Sequence, residues 1–149
     1  MLCDLHTHST ASDGQYTPTE LVHLAREREI EALALTDHDT VDGLEEAVQA
    51  GARAGIRVIR GIELSAREYS TFHILGYGFD PEAPALSALC REMKEGRDQR
   101  KYRIIDFLRE KSLELTLEEV EAIAGGDIIA RPHFARAMVR RGYVASPRE

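Results

Sequence analysis

Ala32-Leu33-Ala34-Leu35-Thr36-Asp37-His38-Asp39 begins as a short apolar run and stops on groups that can bind a proton or a metal. An apolar run of this length, bounded by turn residues, reads as a buried strand. The segments on either side repeat the plan. Residues 2–6 read as a strand that closes on His6 and His8, and Val58-Ile59-Arg60-Gly61-Ile62 reads as a third that leads into Glu63. Two helical stretches separate them. Thr17-Pro18-Thr19-Glu20 opens the first, with Thr17 as N-cap, Pro18 at the first helical position and Glu20 closing a capping box. Leu21, Leu24 and Ala25 give it an apolar stripe. Thr40 is placed to cap the second, which is carried by Leu44, Ala47 and Val48 and ends near Gly55. Strand, helix, strand, helix, strand predicts a parallel α/β arrangement, and a fourth strand follows from Phe72 to Tyr77.

After Pro81 the character changes. Residues 85–112 are helical by periodicity, and Gly96 is expected to break or kink so long a helix. Thr116 and Glu119 make a second capping box, and Gly125-Gly126 ends that helix. Arg131-Pro132 starts a last helix, apolar at Phe134, Met138 and Val139 and stopped at Gly142. The reading is half of an α/β barrel over residues 1–80 and a helical insertion over 81–149. Charge follows the same division. Residues 1–90 hold 6 Lys/Arg against 15 Asp/Glu, whereas residues 91–149 hold 13 against 11. An acidic first part suits carboxylate metal ligands, and a basic second part suits an anionic substrate. Two cysteines, Cys3 and Cys90, lie far apart with no paired motif, which points to a reducing compartment, the cytoplasm. Neither a signal segment nor an apolar run of membrane-spanning length is present in the sequence.

The histidines carry the chemistry. His6 and His8, at i and i+2 on a strand, share a face and can grip one metal ion together. His6, His8, His38 and Glu63 each fall at the carboxyl end of a predicted strand or just past it, the rim where parallel α/β barrels gather their active sites. His73 sits in the apolar stretch Phe72-His73-Ile74-Leu75. It reads either as a buried, satisfied histidine or, beside Glu63, as a further ligand. Asp13 in Ser12-Asp13-Gly14 reads as a ligand to a neighbouring ion or as plain turn chemistry. Asp4, Asp37 and Asp39 flank the ligands and are expected to accept their free imidazole N–H groups. His23, mid-helix among charged neighbours, reads as surface.

In the insertion, Arg97, Arg100, Lys101 and Arg103 lie within two helical turns, and Arg97 and Arg100 share a face. His133, Arg136 and Arg140 share a face of the last helix, read as opposite its apolar one, with His133 at the helix N-terminus. Such groups suit phosphate, through free N–H donors, the helix dipole and the guanidinium fork. They equally describe a solvated amphipathic helix.

The run Asp4-Leu5-His6-Thr7-His8-Ser9, with Asp13-Gly14, Thr36-Asp37-His38-Asp39, Gly61-Ile62-Glu63 and His73-Ile74-Leu75-Gly76, resembles the polymerase and histidinol phosphatase (PHP) superfamily. Its members are metal-dependent phosphoesterases on a distorted (β/α)7 barrel. The insertion, with Glu95-Gly96-Arg97-Asp98-Gln99-Arg100 and Arg131-Pro132-His133-Phe134-Ala135, is similar to the branch of nucleoside 3′,5′-bisphosphate phosphatases and 5′–3′ exoribonucleases. The resemblance runs from residue 2 to about 145. It implies that His6, His8 and Glu63 hold a first metal, Asp13 and His38 a second, and Glu63 with His73 a third, with His38 also catalytic. It implies two to three divalent ions, manganese first and zinc, iron or magnesium as alternatives. It implies Arg97, Arg100, Arg131 and His133 as substrate contacts, and a phosphorylated nucleotide or short RNA as substrate, with no membrane partner. Residues alone set no oligomeric state. The His-Pro-Gly loop and late Asp-x-His that complete the superfamily's metal shells do not occur in these 149 residues. The expectation is therefore the N-terminal portion of a longer protein. The alternatives are a histidinol phosphatase or polymerase-associated exonuclease of the same superfamily, an amidohydrolase, or an inactive metal-binding fragment. All three lysines, Lys94, Lys101 and Lys111, lie in the insertion, which weighs against an amidohydrolase with a strand-borne carboxylated lysine.

Overall fold

The first unit, residues 1–93, is built on β2 (Ala32–Leu35), whose four side chains are all buried. A computed structural model describes residues 2–66, 72–125 and 129–148. Parallel partners lie on both sides of β2: β1 (Cys3–Thr7), with Cys3 beside Ala32, and β3 (Arg57–Ser65), with Ala32 beside Arg57. Helices α1 (Pro18–Glu27) and α2 (Leu44–Ala54) cover one face, bringing Val22, Ala25, Leu44, Ala47 and Ala50 onto Leu33, Leu35 and Ile56. Sequestering Leu33 and Leu35 is worth on the order of 2 kcal/mol each. Gly51 lets α2 come this close, since a Cβ there would stand 2.4 Å from Val58 Cγ2. The Thr17–Glu20 capping box forms as read. Helix α2 differs at its start. Gly43 is its N-cap, and Thr40 instead accepts a hydrogen bond from the Asp42 N–H, a local turn that ends before the helix begins.

The fourth strand, β4 (His73–Tyr77), runs antiparallel to β3, completing the order β1-β2-β3-β4. The sequence expectation of a parallel arrangement holds for the first three strands. The third is longer than read, so Glu63 lies inside it. Its far half, Gly61 to Ser65, pairs in a hairpin with β4 on its other edge, while an isolated bridge from His38 to Glu63 continues the parallel register past the end of β2. The sheet is strongly curled. Three strand spacings amount to about 14 Å in a flat sheet, far beyond one tyrosine side chain, yet the Tyr77 hydroxyl on β4 donates to the Leu5 carbonyl on β1 at 2.6 Å.

The second unit, residues 94–149, takes in the later turns of α3 (Pro84–Glu110) together with α4 (Leu117–Ala124) and α5 (Arg131–Arg140). Its core is Ile105, Leu108, Leu115, Val120, Ala124, Ile129, Phe134 and Ala137. The Thr116–Glu119 capping box is present, and Gly125 ends α4 in the left-handed conformation; Gly126 lies outside the described residues. Gly96 does not break α3, which is continuous from Pro84 to Glu110. One glycine costs a helix about 1 kcal/mol, too little to interrupt it. Among the described residues, no helix is long and apolar enough to cross a membrane.

Candidate metal centre

Six side chains converge at one end of the first unit's sheet, and Glu63 is their hub. Its carboxylate, 7% exposed, receives His6 Nε2 at 2.7 Å, His8 Nε2 at 3.0 Å and His38 Nδ1 at 3.7 Å on one oxygen, and His73 Nδ1 at 2.6 Å on the other. Strand geometry explains the convergence. His6 and His8 share a face of the β1 end. An isolated parallel bridge pairs His38 with Glu63 just past the end of β2. Ser65 pairs with His73 across the hairpin, so His73 emerges next to Glu63 on the same face. Asp13 comes from the loop after β1, with His8 Nδ1 at 3.7 Å and His38 Nε2 at 3.9 Å. That loop is wound tightly: Ser12 N–H and Gly14 N–H both donate to the Ser9 carbonyl. Only glycine fits at position 14, where a Cβ would stand 2.2 Å from the His8 carbonyl oxygen.

Three overlapping groups result: His6, His8 and Glu63; His8, Asp13 and His38; His38, Glu63 and His73. Within each, the ligand atoms lie within 4.8 Å of one another. A zinc-like ion holds its ligand atoms at about 2.0–2.2 Å, which sets neighbouring ligand atoms roughly 3 Å apart, the scale seen here. His8 Nδ1 is buried without a hydrogen bond among the described residues, as a nitrogen that serves a metal would be. The His/carboxylate set therefore fits divalent ions. Burial works to raise the Glu63 carboxyl, but the His6 hydrogen bond, the His38 charge and the His73 hydrogen bond outweigh it, and the group is held below its ordinary range. It is an anion poised among imidazoles.

The flanking aspartates take hydrogen bonds from serines and backbone. Asp37, buried, accepts from Ser9 N–H at 2.7 Å, Ser9 Oγ at 2.6 Å and Ser12 Oγ at 2.6 Å. Asp39 accepts from Ser65 N–H at 2.7 Å and Ser65 Oγ at 2.8 Å, and Asp4 from the His6 N–H at 3.3 Å. Through these bonds the carboxylates hold loop and strand backbone. Asp39 adopts φ +55°, a left-handed conformation that Asp tolerates better than most residues. Burial pushes the Asp37 carboxyl up, against the hydrogen bonds from Ser12 and Ser9. Ser9, Ser12 and Ser65, which bond these aspartates beside the cluster, were passed over by sequence reasoning. Their only signal was adjacency to ligand motifs.

All six expected metal ligands thus stand in one cluster in the first unit. Arg97, Arg100, Arg131 and His133 lie in the second. Arg97 is buried, Arg100 half-buried and Arg131 exposed. His133 is fully buried beside Phe134 and Ala137 on the inner face of α5, not opposite it. The reason is a cap: its Nδ1 accepts the Ala130 N–H at 3.0 Å, the place a capping-box carboxylate would take.

The PHP domain model matches residues 4–138. A 5′–3′ exoribonuclease of Haemophilus influenzae is 41% identical over 144 residues, 96% of this chain and 52% of that protein. A 3′,5′-nucleoside bisphosphate phosphatase of Chromobacterium violaceum is 40% identical over 147 residues, 97% of this chain and 52% of that protein. Among solved structures, an amidohydrolase from Chromobacterium violaceum superposes with a TM-score of 0.91 at 38% identity, covering 99% of this chain and 53% of that one. The chain spans about half the length of the curated relatives it matches.

Proposed function

The chain belongs to the PHP domain family, and from that membership and the cluster around Glu63 we propose that the protein is a divalent-metal-dependent phosphoesterase. The observation that carries the reading is the sharing of ligands: His8, His38 and Glu63 each belong to two of the three groups, as a multinuclear centre requires. Divalent ions held there would supply an activated water, a clamp on phosphoryl oxygens and stabilisation of the leaving oxygen. The chain's own residues do the rest. His6, His8 and Glu63 would hold one ion, Asp13, His8 and His38 a second, and His38, Glu63 and His73 a third. The Glu63 carboxylate gathers the rings of His6 and His73 around itself, meeting His6 Nε2 at 2.7 Å and His73 Nδ1 at 2.6 Å. His38, shared between the groups that contain Asp13 and His73, is the residue to which we assign a catalytic part.

Phosphorylated nucleotides or short RNA ends are the proposed substrates, in line with the names of the relatives. Residues 81–149 are proposed as the substrate-capping insertion, with Arg97, Arg100 and Arg131 as contacts to substrate phosphate; His133, fully buried and capping α5, is left to a structural part. Manganese is the proposed metal and the cytoplasm the proposed compartment. The test is phosphate release from a nucleoside 3′,5′-bisphosphate by the manganese-loaded protein, with and without His38→Ala. The expected result is release that depends on metal and falls at least ~100-fold in the variant, a loss of about 2.7 kcal/mol of transition-state stabilisation. Release that is absent or indifferent to both changes overturns the reading.

A further inference from the structure

The two aspartates on either side of His38 reach in opposite directions along the chain. Asp37 ties down the loop after β1 through three hydrogen bonds, two from Ser9 and one from Ser12. Ser9 adjoins His8, and Ser12 adjoins Asp13. Asp39 ties down the end of β3 through the N–H and hydroxyl of Ser65. Ser65 stands two residues beyond Glu63, on the same face of the strand, and is the cross-strand partner of His73. Backbone bonds close the frame around His38: the Glu63 N–H donates to the Asp37 carbonyl and the Asp39 N–H to the Glu63 carbonyl. His38 is thereby fixed at the centre, while one carboxylate governs the ligands on one side and the other governs those on the other.

We propose that Asp37 and Asp39 are two separable positioning residues, Asp37 setting the His8–Asp13–His38 group and Asp39 the His38–Glu63–His73 group. The proposal rests on the metal-centre reading above and adds a division of labour to it. Neither aspartate is a ligand; each acts through serines that abut ligands. Buried networks of this kind are stiff only while every donor keeps its acceptor, so loss of one hydroxyl loosens one side of the centre and not the other.

The experiment removes the hydroxyls and keeps the carboxylates. Ser12→Ala and Ser65→Ala are compared in the whole chain by cobalt(II) titration, reading affinity and the visible d–d spectrum. Asp13→Asn and His73→Ala serve as references for loss of each group. Ser12→Ala is expected to weaken one class of cobalt site by about 10–100-fold and to approach the Asp13→Asn spectrum. Ser65→Ala is expected to weaken the other class and approach the His73→Ala spectrum, and Ser65→Thr, which keeps the hydroxyl, to restore it. Equal weakening of both classes by either variant, or of neither class, overturns the proposal. Amide hydrogen exchange without metal gives a second arm. Ser12→Ala should open residues 8–14 and leave 63–65 protected, and Ser65→Ala the reverse; uniform opening overturns the proposal independently of any ion. A wild-type chain that takes up no cobalt overturns the metal reading, and the exchange arm then decides the two clamps by itself.

Discussion

The rim of the first unit and the core of the second treat histidine in opposite ways. At the rim, His6, His8, His38 and His73 turn ring nitrogens toward the Glu63 carboxylate, and their rings lie against one another, with centroids 4.6 Å apart for His8 and His38 and 4.8 Å for His38 and His73. In the second unit, His133 is fully buried, and its Nδ1 serves backbone, capping α5 through the Ala130 N–H. Burial therefore does not mark a ligand. What separates the two environments is whether the nitrogen faces a carboxylate shared with other imidazoles or a backbone amide of its own helix. A cap on Nδ1 places the proton of a neutral ring on Nε2, so the structural histidine is fixed in one tautomer.

The sharpest way to break this contrast is at the hub. Glu63→Gln keeps the shape of the side chain and removes its charge. Two of the three groups contain Glu63, so cobalt uptake is expected to fall by more than the roughly 10–100-fold that groups one layer out typically cost. Equilibrium dialysis of wild type and variant measures it. Unchanged uptake would show that the imidazole cluster is a hydrogen-bonded assembly in its own right.

A paired substitution compares the two histidine environments directly. His133→Ala leaves a cavity in the second unit and strips the acceptor from a buried N–H, a loss of about 3 kcal/mol in urea unfolding with cobalt uptake intact. His8→Ala should do the reverse, costing less than about 1 kcal/mol while the two groups that contain His8 lose their ion. If both variants lose stability and metal together, the distinction between the two environments is wrong.

The same contrast explains which parts of the molecule could be read in the sequence. The three parallel strands and their helices were legible because period, capping box and Pro18 agree locally. The rim was legible because each strand delivers its ligand at the same end. The antiparallel direction of β4 was not read, although a crossover between parallel strands needs a dozen or more residues and only seven separate Ser65 from His73. The serine clamps were beyond reach for another reason. Ser9, Ser12 and Ser65 look like ordinary turn and strand-end residues until contacts 25 to 28 positions away bring them to Asp37 and Asp39. His133 misled because a polar residue on a helical wheel is assigned outward, and the Ala130 N–H that its Nδ1 accepts at the start of α5 leaves no mark on the wheel.

The smallest expected effect concerns α3, which supplies residues to both units. Gly96 lies in its interior, exposed, and a Cβ there would meet nothing within 4 Å. Glycine at such a site loses more conformational freedom on folding than alanine and gives nothing in return. Gly96→Ala should therefore raise stability by roughly 0.5–1 kcal/mol, or a thermal midpoint by about 1–4 °C for a chain of this size. Cobalt uptake should stay where it is, since the six proposed ligands all lie before residue 74 and none of them is on this helix. A destabilised variant would mean that the open space around Gly96 is used in solution, and that the helix carries a contact or a bend at this residue. A stabilised variant with altered cobalt uptake would couple α3 to the rim, and the two units would then no longer be separable as two ways of placing a histidine.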